Sequence, residues 1–129
     1  MIVVECSAMV DALVGSPANP KLLDIIATAD LHSPTLLDYD VVSALRGHLR
    51  GGLLTTTALD IAIQDYTELH IERYELTGLL RDILALRDNF TAYDAAYIVL
   101  AQALDAPLVT VDDKLRAAER LGVDVRVCR

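Results

Sequence analysis

The chain is poor in the residues that staple, cradle or anchor. Its only cysteines, Cys6 and Cys128, stand at opposite ends of 129 residues and can pair only if the termini meet. Two reduced thiols in a cytosolic protein is the expected state, with Cys6 serving as a small core residue. The three histidines (His32, His48, His70) show no ligand spacing and no C-x-x-C occurs, which argues against a zinc site. No apolar run approaches the ~20 residues of a membrane-crossing helix, and the longest clean one in the second half is Ala95 to Ala101. Ile2 to Val4 is cut by Glu5 with no basic residue before it, unlike a signal peptide. Neither G-x-G-x-x-G nor G-x-x-x-x-G-K-[ST] is present, so the common nucleotide cradles are missing.

Basic residues are also few, eleven against nineteen acidic, for a net charge of −8. That balance excludes a generic nucleic-acid coat. It does not exclude a nuclease whose acids gather around divalent cations while a local basic rim meets the phosphates. Two basic sets exist, Arg46, His48 and Arg50, then Lys114, Arg116 and Arg120. Solvated helix faces are the plain reading of both.

What the chain has in excess is apolar surface: 53% of residues and a mean hydropathy of +0.38. A small domain cannot hide that much alone, so a permanent partner or dimer face is expected. Short β-branched runs alternate with helical patterns, which predicts one α/β domain over residues 1–129, with a short parallel sheet flanked by helices. Strands are expected at Ile2–Cys6, Leu31–Ser33, Leu69–Glu72, Leu108–Val111 and Val123–Val127. Helices are expected from a Ser7 cap to Val14, from Pro20 to Ala29, and from Thr35 to Arg50. Others should run from Thr55 to Asp65, from Leu76 to Arg87, from Thr91 to Asp105 and from Asp113 to Leu121. Thr35 and Asp38 have capping-box spacing, as do Thr91 and Asp94.

Ligands of open parallel sheets bind beyond the carboxyl ends of the strands. Glu5 lies near the end of the first strand and Asp112 directly follows the strand ending at Val111. An acid inside Ile-Val-Val-Glu-Cys is costly if merely buried, whereas Asp112 has an ordinary alternative as a helix cap, for which Asp113 competes. Asp94 heads a stripe with Tyr97, Ile98 and Ala101 that should face the sheet. Asp40 heads a stripe of small residues, Ser43, Ala44 and Gly47, smooth enough for another backbone to approach. Asp38 lies about 200° around the helix from Asp40 and keeps the capping role. Two unit charges ~4 Å apart repel by on the order of 4 kcal/mol at an effective dielectric near 20. A divalent cation removes that penalty, and an all-oxygen site suits Mg²⁺ or Mn²⁺.

The segments Met1–Ala8, Ser33–Arg46, Thr91–Tyr97 and Leu108–Asp112 together resemble the PIN-domain family, and among its members the VapC-type toxins of bacterial toxin–antitoxin pairs. The resemblance runs the length of the chain, in order. It implies a parallel sheet flanked by helices and a cytoplasmic Mg²⁺- or Mn²⁺-dependent endoribonuclease that forms homodimers. It further implies a cognate antitoxin that lays a segment along a hydrophobic groove, for which helices 20–29 and 36–50 are candidates. Glu5, Asp40, Asp94 and Asp112 fall on the family's acidic positions, and Ser7 and Thr110 on supporting hydroxyl positions. Two positions depart: Glu5 stands where Asp is usual and Asp40 where Glu is usual. Each exchange moves a carboxylate by one methylene, which bears on rate and metal preference because Mg²⁺ demands good geometry. Two other readings stay open. One is a catalytically weak PIN domain that binds RNA or antitoxin. The other is a phosphoacceptor signalling domain, although that class wants its acidic pair after the first strand and Asp112–Asp113 comes near the end.

Overall fold

A computed structural model describes all 129 residues. Strand β1 (Ile2–Val4) is followed by α1 (Cys6–Val14) and α2 (Pro20–Thr28), then by β2 (Leu31–Pro34), α3 (Leu36–Arg50) and α4 (Thr56–Glu68). After β3 (Ile71–Tyr74) come a 3₁₀ turn (Thr77–Leu79), α5 (Leu80–Ala85) and α6 (Ala92–Leu104), and β4 (Leu108–Thr110) leads through a 3₁₀ segment (Asp113–Leu121) to β5 (Val125–Val127). The sheet has the order β3-β2-β1-β4-β5 and every neighbour is parallel. Strand order reverses between β1 and β4, and in such sheets a crevice opens outside the carboxyl ends there. Glu5 and Asp112 follow those two strands. No helix is long and apolar enough to cross a membrane.

The inner strands β1 and β4 are buried on both faces because both faces are covered. Val3, Val4, Leu108 and Val109 are buried, and α6 is buried at every position from Ala95 to Ala101. One side of α6 turns Tyr97, Ile98 and Ala101 into the main core, while Ala95, Ala96 and Val99 pack with Ile83 of α5. A helix apolar all round has no other stable place.

Several local expectations shift. Helix α4 runs to Glu68 rather than Asp65, because Tyr66 is buried and extends the stripe begun by Leu59 and Ala62. The third strand therefore starts at Ile71, with Leu69 left to cap α4, and its register pairs Leu31 with Ile71 and Pro34 with Tyr74. The pattern from Leu76 to Arg87 is broken into a 3₁₀ turn and a short α5. Residues 113–121 form 3₁₀ rather than α-helix, with Leu115 and Ala118 buried. Spacing of three puts both on one face at three residues per turn, and Gly122 ends the segment at φ 82°, where a glycine is unstrained.

The capping box at α3 is not formed. Thr35 is helical and caps nothing with its side chain. Asp38 instead accepts from Tyr66 Oη at 2.6 Å and from Arg73 Nε at 3.0 Å, tying α3 to α4 and β3. Nor does anything approach Gly47, around which a side chain would meet open space; of that small-residue stripe only Ala44 is covered, and Ser43 is exposed. Two substitutions separate the two roles of this helix start. Asp38→Ala should cost about 1–3 kcal/mol by orphaning the Tyr66 hydroxyl and freeing Arg73. Thr35→Ala should cost under about 0.5 kcal/mol, well below the ~1 kcal/mol of a working cap. Urea unfolding of both proteins decides it, and equal losses would restore the cap.

Candidate active site

The acids meet the sheet end by different routes. Glu5 follows β1 with extended backbone (φ −90°, ψ 155°) and its own side chain caps α1, accepting from Ser7 N at 3.0 Å. The cap is thus Glu5, not Ser7, which lies inside the first turn. The Ser7 hydroxyl also bonds Glu5 Oε2, and fully buried Thr110 donates to the same oxygen at 2.7 Å. Each hydroxyl carries one proton, and both are committed to Glu5. Their lone pairs then receive Val111 N–H (to Ser7, 3.1 Å) and Asp112 N–H (to Thr110, 3.0 Å). Glu5 is 7% exposed, so an ionised carboxylate there requires such donors. Burial pushes its carboxyl above the usual range. The Ser7 and Thr110 hydrogen bonds pull it back, and the charge of Asp94 pushes it up again.

Asp40, half-buried on α3, accepts from Tyr97 Oη at 2.7 Å. Tyr97 is buried, and burial together with this carboxylate drives its phenol far above the ordinary value. Asp94 begins α6, where Thr91 is the N-cap and accepts from Asp94 N at 3.1 Å. Burial raises the Asp94 carboxyl, as do the charges of Asp112 and Asp40, against relief from Lys114 and the Thr91 hydroxyl. Asp112 caps the 3₁₀ segment through Lys114 N at 3.0 Å, so the ordinary capping role falls to it. Asp113 pairs with Arg116 and Arg129 instead.

Asp94 links the four acids electrostatically, its charge acting on Glu5 and those of Asp40 and Asp112 acting on it, with Ser7 and Thr110 directly on Glu5. As placed, no three acids form a group that encloses an ion. Three of the four have one oxygen engaged and the other free of protein hydrogen bonds: Glu5 Oε1, Asp40 Oδ1 and Asp112 Oδ2, the last facing Lys114 Nζ at 3.9 Å. Cys6 is half-buried beside them and packs against the edge of the main core, and burial with the charges of Glu5 and Asp40 pushes its thiol up to about 12.

Tyr97 was legible only as a stripe residue. Its signal is a tyrosine in an otherwise aliphatic face, three places after Asp94, since a buried phenol needs a partner.

No family model matches the chain, but individual proteins do. It is 37% identical to the VapC ribonuclease Mb0985 of Mycobacterium bovis over 115 residues, covering 89% of this chain and 88% of that one. It is 35% identical to ribonuclease VapC1 of Mycobacterium tuberculosis over 129 residues, covering 98% and 97%. The chain belongs to the VapC family of PIN-domain ribonucleases. PAE2754 from Pyrobaculum aerophilum shares the fold, with a TM-score of 0.67 at 24% identity over 91% of this chain and 84% of that one. Within this VapC-family site, hydroxyls rather than cations hold the first acid.

The raised carboxyls set a pH dependence. A carboxyl whose folded value lies above its unfolded one binds its proton more tightly when folded. It adds stability below about pH 4, and that contribution is lost as pH rises through the folded value. In EDTA, Asp94→Asn should therefore gain on the wild type in melting temperature as pH rises from about 4 to 7. A difference that stays constant or turns against the variant with pH would refute the repulsion.

Proposed function

We propose that the chain is the toxin ribonuclease of a toxin–antitoxin pair, cleaving RNA phosphodiesters with Mg²⁺ or Mn²⁺ held among Glu5, Asp40, Asp94 and Asp112. The supporting observation is the gathering of these acids at the point of strand reversal, where Glu5 and Asp94 raise or are raised by neighbouring carboxylates. The donor set is all oxygen, as hard divalent cations prefer. Its free oxygens are the hard donors such an ion takes, and side-chain rotation would have to bring three of them together, since as placed no three acids form an ion-holding group. A bound cation supplies charge neutralisation and Lewis acidity at the phosphodiester.

The chain's own residues do the rest. Ser7 and Thr110 fix Glu5 through Oε2 and leave Oε1 for the ion. Tyr97 fixes Asp40 in the same way through Oδ2. Asp94 has only the Thr91 hydroxyl and the charge of Lys114 to relieve it, and a cation would add to that relief. Lys114 is exposed, its charge is felt at Asp94, and it offers a phosphate oxygen a cation beside the acids. Glu5 and Asp40 keep the family's charge with reach exchanged between them, and a catalytically weak domain remains the contrasting outcome of the test.

Asp94→Asn carries that test. The amide is nearly isosteric, and Thr91 caps α6 through the Asp94 backbone rather than its carboxylate. Folding should be kept in EDTA, while the Mn²⁺-induced rise in melting temperature, cleavage of a mixed RNA pool and growth inhibition are all lost. Cleavage at the wild-type rate would reduce Asp94 to part of a helix start.

The apolar surplus has two outlets in this proposal. Helices α3 and α4 form an apolar groove lined by Val42, Leu45, Leu49, Leu59 and Ile63, which we assign to the antitoxin segment. The expected partner of α3 in that groove, α2, packs on α1 instead. Leu80, Leu84 and Tyr93 are exposed on α5 and α6, and we assign that patch to a second copy of the chain. Leu84→Glu should turn a dimer into a monomer by light scattering without changing its helix content. A wild-type monomer sinks the assignment.

A further inference from the structure

Beside the acids, between α1 and α3, lies a cavity of about 400 Å³, in the range of small-ligand sites. Its mouth is shared with the acidic site, since Glu5 and Ser7 line both. Its walls are Val10 and Val14 of α1 and Ala44 of α3. Two polar side chains join the lining from different helices, Asp11 from α1 and His48 from α3. His48 supplies the cavity's one aromatic ring, and that ring is held by a 2.8 Å hydrogen bond from Nδ1 to the Ala44 carbonyl. Asp11 is half-buried, with no ion-pair or hydrogen-bond partner for its carboxylate. It lies against Gly15, where a Cβ would stand 2.4 Å from the Asp11 carbonyl oxygen and 2.6 Å from its Oδ1, so a side chain there would crowd both the helix end and the carboxylate.

We infer that this cavity is a subsite for a guanine base adjacent to the cleaved phosphodiester, stacked on His48 and read by Asp11. The inference rests on the ribonuclease reading and narrows it to a substrate. An apolar slot with one fixed ring takes the flat face of an unpaired base, as RNA-reading proteins do with aromatic side chains. A lone carboxylate is acceptor-only. It rejects edges that present acceptors to it and matches two adjacent donors, which guanine offers in N1–H and N2–H. Adenine and cytosine offer a single amino group beside an acceptor, and uracil a single N–H between two acceptors. The negative charge of Asp11 repels phosphate, so the slot takes a base rather than backbone. Continuity with Glu5 places that base next to the bond the acids act on.

The test uses the full chain and labelled pentanucleotides of uridine carrying a single central G, A or C. Binding is followed by anisotropy with Ca²⁺ in place of Mn²⁺, and cut sites in a mixed RNA pool are mapped separately with Mn²⁺. The G-centred oligonucleotide should bind on the order of 10- to 100-fold tighter than all-uridine, and cuts should flank G. Asp11→Ala and His48→Ala, on different helices, should each reduce the G preference to within a few-fold of uniform. Both side chains are partly exposed, and melting temperature reports whether each variant folds. Selective binding without cleavage supports the subsite and sinks the ribonuclease reading. Cleavage without G preference, preference for another base, or a G preference that survives both substitutions overturns the subsite and leaves the ribonuclease reading standing. Neither binding nor cleavage overturns both.

Discussion

A single carboxylate oxygen organises this site. Glu5 Oε2 receives the Ser7 amide, the Ser7 hydroxyl and the Thr110 hydroxyl, and those hydroxyls in turn hold the amides of Val111 and Asp112. One oxygen thereby joins the end of β1, the first turn of α1 and the end of β4. An ionised group in that gap is tolerable only with this many donors, and the donors are in place only if β1 and β4 are neighbours in register. Val3 opposite Leu108 and Val4 opposite Val109 provide that register. The buried carboxyl is thus a condition on the sheet order as well as a feature of the candidate site.

The remaining acids are positioned by the core. Asp94 stands at the head of a helix that cannot rotate, because both its faces are occupied. Asp40 is held by a tyrosine from that same helix, so α3 and α6 are locked together at the site by one phenol–carboxylate bond. Burial raises the Asp94 carboxyl first, and the charges of Asp112 and Asp40 add to it because the packing leaves little freedom to separate them. In the proposed reading a cation would relieve charges that the fold keeps near one another.

How far this was legible depended on the range of each signal. Apolar stripes are local, so helices such as Ala92–Leu104 and strands such as Leu108–Thr110 could be read to within a residue or two, and the four acids could be singled out by what their neighbours made costly. Asp38 shows the limit. Its spacing from Thr35 is a capping signature, yet its partners are Tyr66 and Arg73, 28 and 35 positions away, and no local pattern carries them. The same holds for the partner of α3 in its apolar groove. The 3₁₀ form of residues 113–121 was written in the i, i+3 spacing of Leu115 and Ala118, a pattern that an α-helix shares.

Glu5 and Asp40 differ in reach by one methylene, and each is held in this arrangement by partners that suit its length. A glutamate at position 5 has the extra methylene needed to fold back onto the Ser7 amide while still meeting Thr110 across the β1–β4 gap; an aspartate would have to choose. The cost falls on freedom, since the longer side chain is pinned through Oε2 and only Oε1 remains. On α3 the shorter aspartate withdraws its carboxylate toward the helix, and Tyr97, long and rigid, spans the distance instead. The two carboxylates are therefore held by different means, one by two hydroxyls and an amide at the sheet end and the other by a phenol from α6.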